Sequence, residues 1–599
     1  MEYEEIPYPV REYGEKYRSL YRQHTEETFE ILLRTAKIDE SAVAALNRQI
    51  RKLQRSLDAL KASLGKLCFF RGLLVLLLVA GFGCGAWFLL QLIFSDAFEE
   101  MRLPAGWGLG GTAAGITALL LISRLLNPRI RRSRELFMKT DETCGARIAE
   151  AWRLTAPLNR LFRWDTVAGI IMKTLPIVTV DKFFSAGRME QLCRQFFWDP
   201  GSREDESVLC CQSGALNGNP WVMAEVLRQE WENVTYTGSL QISWEERVTY
   251  TDSDGRRQTR WETRYETLTA SVDEPAPVYR RRKFMVYGNE AAPDLHFSRT
   301  PNSLSDAGRG FFGRFRMRSA IRALEAKSRD LDDPFVIMDN RVFDACFDAE
   351  DRDNEQQFRL LFTPLAQQEM LALLRDREFG FGDDFSFVKS RMVNFLISDH
   401  LDDTDLSGDP NRFRSYDLES LKDNFFSYSE NFFRSFYFTL APLLCIPLYQ
   451  QHRNSRDIYA NIPDSKECSF YEHESLVNAM DQAAFAPEDA ATRLILKTES
   501  EKVGDTAETV HVTAHAFACE ERLTWISKLG GDGKWHDVPV HWKEYLPLSK
   551  RSEVVVMPAP EEETDPSAAE KYRQLVENCL GRVGTIRFRR SLLAFLRAQ

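Results

Sequence analysis

The chain has 599 residues, 28% of them charged, and a formal net charge of -11. That length exceeds one hydrophobic core and suggests two or three soluble units beside any membrane element. The acidic balance argues against general nucleic-acid binding, and eleven cysteines without a CxxC pair argue against a disulfide framework or a zinc finger. They read as free thiols of a reducing compartment.

Residues 1–66 read as a cytoplasmic helical segment. A helix over about 11–38 carries Tyr13, Tyr17, Leu20, His24, Ile31 and Leu32 toward one side. Asp39 and Ser41 can cap the next helix, in which Val43, Leu46, Ile50, Leu53, Leu57, Leu60, Leu64 and Leu67 recur at alternating spacings of three and four. This heptad seam implies a stalk of roughly 37 Å. Its flanking positions Asn47, Gln49, Gln54 and Ser56 carry no charge that would select a partner.

Two apolar stretches follow, 67–94 and 105–126, separated by a short external loop at 95–104. The first is uncharged from Leu74 to Phe94 and the second from Trp107 to Ser123, each about the 20 residues that a helix needs to cross a bilayer. Arg51, Lys52, Arg55, Lys61 and Lys66 precede the pair, and Arg129, Arg131, Arg132, Arg134 and Lys139 follow it. The loop carries Asp96, Glu99, Glu100 and only Arg102, so the positive-inside rule puts both termini in the cytoplasm. The first stretch lies too far from the start, and is too long, for a cleavable signal peptide. Gly81 with Gly85, and Gly111 with Gly115, are small residues four apart that let two helices approach closely. Neither stretch holds an acid, a base or a central proline, which argues against a channel or transporter built from this hairpin alone.

Residues 127–165 read as a juxtamembrane helical stalk. Ile130, Phe137, Cys144 and Ala151 recur every seven residues, with Ile148 between the last two, while Arg134 and Asp141 weaken the earlier part. The leucine seam therefore has three uses: antiparallel pairing with this helix, homodimerisation, or pairing with another protein. The first helix could add a third member. Arg129, Arg131, Arg132 and Arg134 are candidates for contact with an anionic lipid surface.

From 166 to 450 the pattern is that of a mixed α+β cytoplasmic domain. IVTVDKFF reads as strand and turn, RMEQLCRQFF as a short helix, and two long alternating segments rich in Trp, Tyr and Thr as a hairpin turning at Asp254 and Gly255. Further strands are expected at KFMVYG, PFVIMDN, RLLFTP and FSFVKSRMVNFLIS, and a helix over about 364–376. The run 436–449 is short and broken by Pro442 and Pro447, which suits a buried or interfacial segment better than a span. Residues 451–599 read as a smaller β-rich C-terminal unit with alternating segments joined by GGDG, ending in a helix from about Ala568 to Ala598.

The stretch from Asp333 to Asp376, followed by FSFVKSRMVNFLIS, resembles a domain of unknown function found in bacterial membrane proteins, with Arg359, Leu360, Leu361, Thr363 and Pro364 at its centre. The resemblance covers about residues 305–400. It implies two closely spaced spans ahead of a cytoplasmic body in the bacterial inner membrane, and it brings no activity or catalytic residue.

Signs of chemistry are sparse. Asp403, Asp405, Ser407 and Gly408 imitate half a calcium loop, but Arg414 occupies the position of the required bidentate acid. His511 and His515, four apart on a strand, would lie about 13 Å from each other, too far to share one ion. His473 between Glu472 and Glu474 could support acid–base work, which makes His473 and Glu474 the catalytic candidates, against the plainer reading of an exposed helix start. Walker, GxGxxG, HExxH, GxSxG and kinase signatures are missing, and no cofactor or metal is expected. The basic aromatic stretch 308–329 could lie on an anionic leaflet, but a strand and helix with internally packed phenylalanines is the preferred expectation.

The sequence thus predicts a membrane-anchored α+β protein, with a helical stalk, a two-helix transmembrane hairpin and a large cytoplasmic body. A noncatalytic scaffold or assembly component fits better than a membrane-bound enzyme or an accessory subunit of a transport or envelope complex. Membrane lipids, a second copy or another membrane protein are the expected partners, and nucleic acid is not.

Overall fold

The computed structural model describes residues 5–94, 102–201, 203–251, 257–305, 311–329, 335–451, 467–503, 507–558, 583–589 and 592–597. These form two compact units, one of residues 29–162 and 411–425 and one of the remainder. Two helices are long and apolar enough to cross a membrane.

In the helical unit, Glu40–Phe94 is one continuous helix of 55 residues. Asp39 starts it, its Oδ1 accepting hydrogen bonds from the backbone N–H groups of Ser41 and Ala42. The return helix Arg102–Leu120 passes through a π turn, Leu121–Leu126, directly into Asn127–Asn159. Leu46, Ile50, Cys144 and Ala151 are buried together, with Leu53, Leu57, Ile148 and Leu154 half-buried around them. Large side chains on one helix thus meet small ones on the other, and the seam is filled from within the chain. Arg51 closes this end by pairing with Asp417 at 2.9 Å and Glu419 at 2.6 Å.

The α+β unit is built on two antiparallel sheets. One has seven strands in the order β1 (Val178–Val180), β2 (Glu206–Leu216), β3 (Asn219–Thr251), β4 (Arg257–Gly288), β7 (Val393–Ser398), β6 (Phe385–Ser390), β5 (His296–Arg299). The other has five, β11 (Val583–Arg589), β12 (Leu592–Arg597), β10 (Trp535–Pro558), β9 (Ala507–Leu529), β8 (Ile495–Val503). Beyond Arg228 and Arg280, β3 and β4 pair only with each other and run on as a two-stranded ribbon to Thr251 and Arg257. A second ribbon, from β9 and β10, packs on it through Ile242, Leu268, Ala270, Val538 and Val540. Gly238 permits that approach, since a Cβ there would meet the Pro539 carbonyl oxygen at 1.9 Å.

The helix Leu418–Leu444 carries the run that two prolines left too short for a span. Its Phe433, Tyr437 and Phe438 are buried, Tyr21 stacking on Phe433 at 3.9 Å and Tyr13 lying 4.9 Å from Tyr437. The tyrosines of the N-terminal helix, continuous through Pro9–Glu12, Tyr13–Tyr17 and Arg18–Ala36, lie in this aromatic core, while its Phe29 stacks on Phe425 within the helical unit.

Several expectations are corrected. Residues 335–340 are irregular rather than a strand, and Arg359–Leu361 end a helix, Glu355–Leu361, after which the Thr363 side chain caps Pro364–Arg375. Apolar runs this short do not separate strand from helix. The chain closes with β11 and β12 rather than a helix; the part of that expected helix before Val583 lies outside the described residues. Leu592, Leu593, Ala594 and Phe595 are buried beside β10, so sheet pairing overrides their helical propensity. In the basic aromatic stretch, Phe311–Lys327 is a helix that buries Met317 and Leu324 but leaves Phe312 82% and Phe315 68% exposed, so those two rings do not pack inside.

Candidate functional site

The helix Phe470–Asn478 lies between the cores of the two sheets. Tyr471 belongs to the core of the seven-stranded sheet, whereas Leu476 and Val477 belong to that of the five-stranded sheet. Ser469 caps it, accepting from the Glu472 N–H. With both sides covered, every side chain from Tyr471 to Val477 is buried, including Glu472, His473 and Glu474 at 0–1% exposure. The expectation of an exposed helix start is overturned, because an apolar stripe on only one face does not disclose a second sheet on the other.

Each ionisable group is held differently. Glu474 Oε1 pairs with Lys497 Nζ at 2.6 Å, and its Oε2 accepts from the Val208 N–H at 2.8 Å, where a bulge in β2 interrupts the ladder with β3. Burial raises the Glu474 pKa and the Lys497 charge opposes that rise. Glu472 Oε2 accepts from Phe184 N–H at 3.1 Å and from the Cys211 thiol at 3.2 Å, while its Oε1 is buried without a hydrogen-bond partner. His473 Nε2 stands 2.9 Å from Glu508 Oε2 but without the alignment of a hydrogen bond, and is likewise unsatisfied. Glu508 Oε1 accepts from the Cys468 N–H at 3.0 Å. Burial, with Glu472 and Glu508 nearby, pushes the Cys468 thiol far up.

This arrangement does not favour catalysis at His473 and Glu474. Both Glu474 oxygens are committed, and a cavity of about 390 Å³ nearby is lined by Leu209, Arg281, Asn478 and Arg493 but by neither candidate. What the cluster does bring together is one sulfur, one imidazole nitrogen and one carboxylate oxygen, from Cys468, His473 and Glu508, all within 4.8 Å of one another. Sequence reasoning missed this set because its members come from a loop, a helix and a strand, without a metal-binding spacing. His511 and His515 take no part in it; His511 lies 3.9 Å from Glu553.

The helix-association residues lie in the helical unit. Leu46 and Ile50 are buried; Leu53, Leu57, Leu60 and Leu64 are half-buried. A Cβ on Gly81 would meet the Gly111 carbonyl oxygen at 2.4 Å and the Gly115 nitrogen at 2.9 Å, and one on Gly85 would meet Thr112 at 2.3 Å. Arg129, Arg131, Arg132 and Arg134 are all exposed. No family model, curated protein or solved structure matches the chain.

Proposed function

We propose that this protein is a noncatalytic scaffold or assembly component of a bacterial inner membrane, anchored by a two-helix hairpin with both termini in the cytoplasm. The observation that carries the reading is the inverted distribution of side chains on the two apolar helices. Glycines occupy the contact between them, while Leu76, Val79, Trp87 and Ile116 are each more than half exposed. In water such a surface would aggregate, whereas in lipid it is the ordinary solution, because tight packing of small residues then drives association. The basic flanks support that orientation through the positive-inside rule.

Two surfaces support the partners in this reading. Phe312 and Phe315 stand out among the exposed Arg314, Arg316 and Arg318, the composition of a helix that lies on an anionic leaflet. On the outer face of the β9–β10 ribbon, Trp535 pairs with Leu529, Pro539 with Trp525 and His541 with Leu523. Leu523, Trp525, Leu529 and Trp535 are exposed there, interrupted by the polar pair Ser527–Asp537, and offer apolar anchors for protein assembly. One observation favours an enzyme instead, the 390 Å³ cavity beside Arg281 and Arg493.

The test is the native mass and composition of the complex extracted from its own membranes in mild detergent, after an alkaline wash. Retention in the membrane with a stoichiometric second protein, or as a homo-oligomer, is the expected result. Release by the wash would end the anchor reading, and a lone 69.1 kDa chain would end the assembly reading and turn attention to the cavity.

A further inference from the structure

We infer that Cys468, His473 and Glu508 form a binding site for one divalent transition-metal ion of the zinc type. The three side chains offer one sulfur, one nitrogen and one oxygen within 4.8 Å of one another. Four-coordinate zinc accepts this donor set, with bonds of about 2.0–2.3 Å that put neighbouring ligand atoms about 3.3–3.7 Å apart. Binding would draw the three donor atoms from a spacing of up to 4.8 Å into that range. Calcium or magnesium would require an oxygen shell that a thiol and an imidazole do not supply.

An independent observation points the same way. His473 is 1% exposed, and its Nε2 comes within 2.9 Å of a carboxylate oxygen without forming a hydrogen bond to it. A buried imidazole nitrogen left so costs free energy, whereas a nitrogen and an oxygen lone pair converging on a shared cation would both be satisfied. Among the neighbouring groups, Glu474 is bound by Lys497 and Val208 and Glu472 Oε2 by Phe184 and Cys211, while Glu472 Oε1 has no hydrogen-bond partner. Glu508, the least buried of the three with a side chain 12% exposed, gives the ion its route in.

Binding replaces the thiol S–H bond by a metal–sulfur bond and releases that proton to solvent, with no change of oxidation state. The fourth position falls to a ligand from outside the set. The ion would join the segment before the helix, the helix itself and the start of β9, fastening the helix between the two sheets. Its role is therefore structural, and it goes beyond the scaffold reading without depending on it.

The experiment uses the full chain in detergent, stripped with chelator and then titrated with Co²⁺ and with Zn²⁺. Expected are about one equivalent of zinc retained after gel filtration, a thiolate-to-cobalt charge-transfer band, and a higher melting temperature with metal than with chelator. Cys468→Ser should abolish the charge-transfer band and His473→Gln should weaken binding about tenfold or more, while Cys193→Ser leaves both unchanged. Zinc below about a tenth of an equivalent in the wild-type chain would overturn the site. So would a cobalt spectrum without a thiolate band, a reading that the wild-type chain gives even where the variants do not fold. Unaltered metal uptake by Cys468→Ser and His473→Gln would do the same.

Discussion

Gly81 and Gly111 meet backbone to backbone, so close that a Cβ on Gly81 would stand 2.4 Å from the Gly111 carbonyl oxygen. Gly83, two residues along the same helix, has nothing within 4 Å of its Cβ position. Gly81→Leu should therefore force the two apolar helices apart and destabilise the helical unit by about 1–3 kcal/mol, whereas Gly83→Leu should be close to neutral. Thermal unfolding of the two variants in one detergent distinguishes them, and equal losses would refute the contact.

Ile50 is 1% exposed in the cluster with Cys144 and Ala151, and Leu64 is only half-buried. Ile50→Ala should cost about 2–5 kcal/mol and Leu64→Ala clearly less. Replacing Leu53 and Leu60 together with Asp would put two charges on the seam and should open the stalk. Hydrogen exchange over residues 43–60 and 144–155 reads each effect locally, and unchanged protection in the double variant would mean that the seam does not hold the stalk.

Lys389 is buried and donates from Nζ to the carbonyl oxygens of Ala291 at 3.0 Å and Arg391 at 2.6 Å. Desolvation lowers its pKa from 10.5 to about 7. The unfolded chain therefore binds more protons than the folded one between about pH 7 and 10, so this residue's contribution to stability rises with pH across that window. From pH 7 to 8 the gain is about 1 kcal/mol. Lys389→Met should remove that rise, although the two carbonyls then lose their donor. Urea unfolding at both pH values compares the slopes, and identical slopes would place the lysine's pKa near its ordinary value.

Arg299 is fully buried, its Nη2 donating to Asp383 Oδ1 at 2.6 Å and its other nitrogens to the carbonyls of Phe347 and Phe385. Asp383 also accepts from Asn302 N–H and Ser305 Oγ. Asp383→Ala should cost about 3–5 kcal/mol by leaving a guanidinium buried without its counter-charge. Arg299→Met with Asp383→Leu should recover part of that loss. Denaturant midpoints of the single and double variants test this, and a single variant within about 1 kcal/mol of the wild type would contradict it.

If Phe311–Lys327 lies on an anionic leaflet, its amide protons should be protected from exchange in nanodiscs containing anionic lipid and not in neutral ones. Replacing both Phe312 and Phe315 with Ser should abolish the difference. Equal exchange in the two lipids would leave this helix without a lipid role.

The seam from Val43 to Leu64, the two apolar stretches and the paired glycines are legible in the sequence because each is a local repeat along one helix, where spacing alone sets the face. The expected turn at Asp254 and Gly255 lies outside the described residues, but the pairing of β3 with β4 is legible for the same reason in strands, through alternation. Whether Arg359–Leu361 and Leu592–Phe595 become helix or strand was not, since a short apolar run fits either and the neighbouring strand decides. The surroundings of His473 also depended on tertiary structure. Its helix is covered by two sheets that join residues far apart in the chain, and only that meeting sets Cys468 and Glu508 beside the imidazole. Periodicity reports which face of an element is apolar; burial on every side, and the donors that burial gathers, depend on long-range packing that no local pattern encodes.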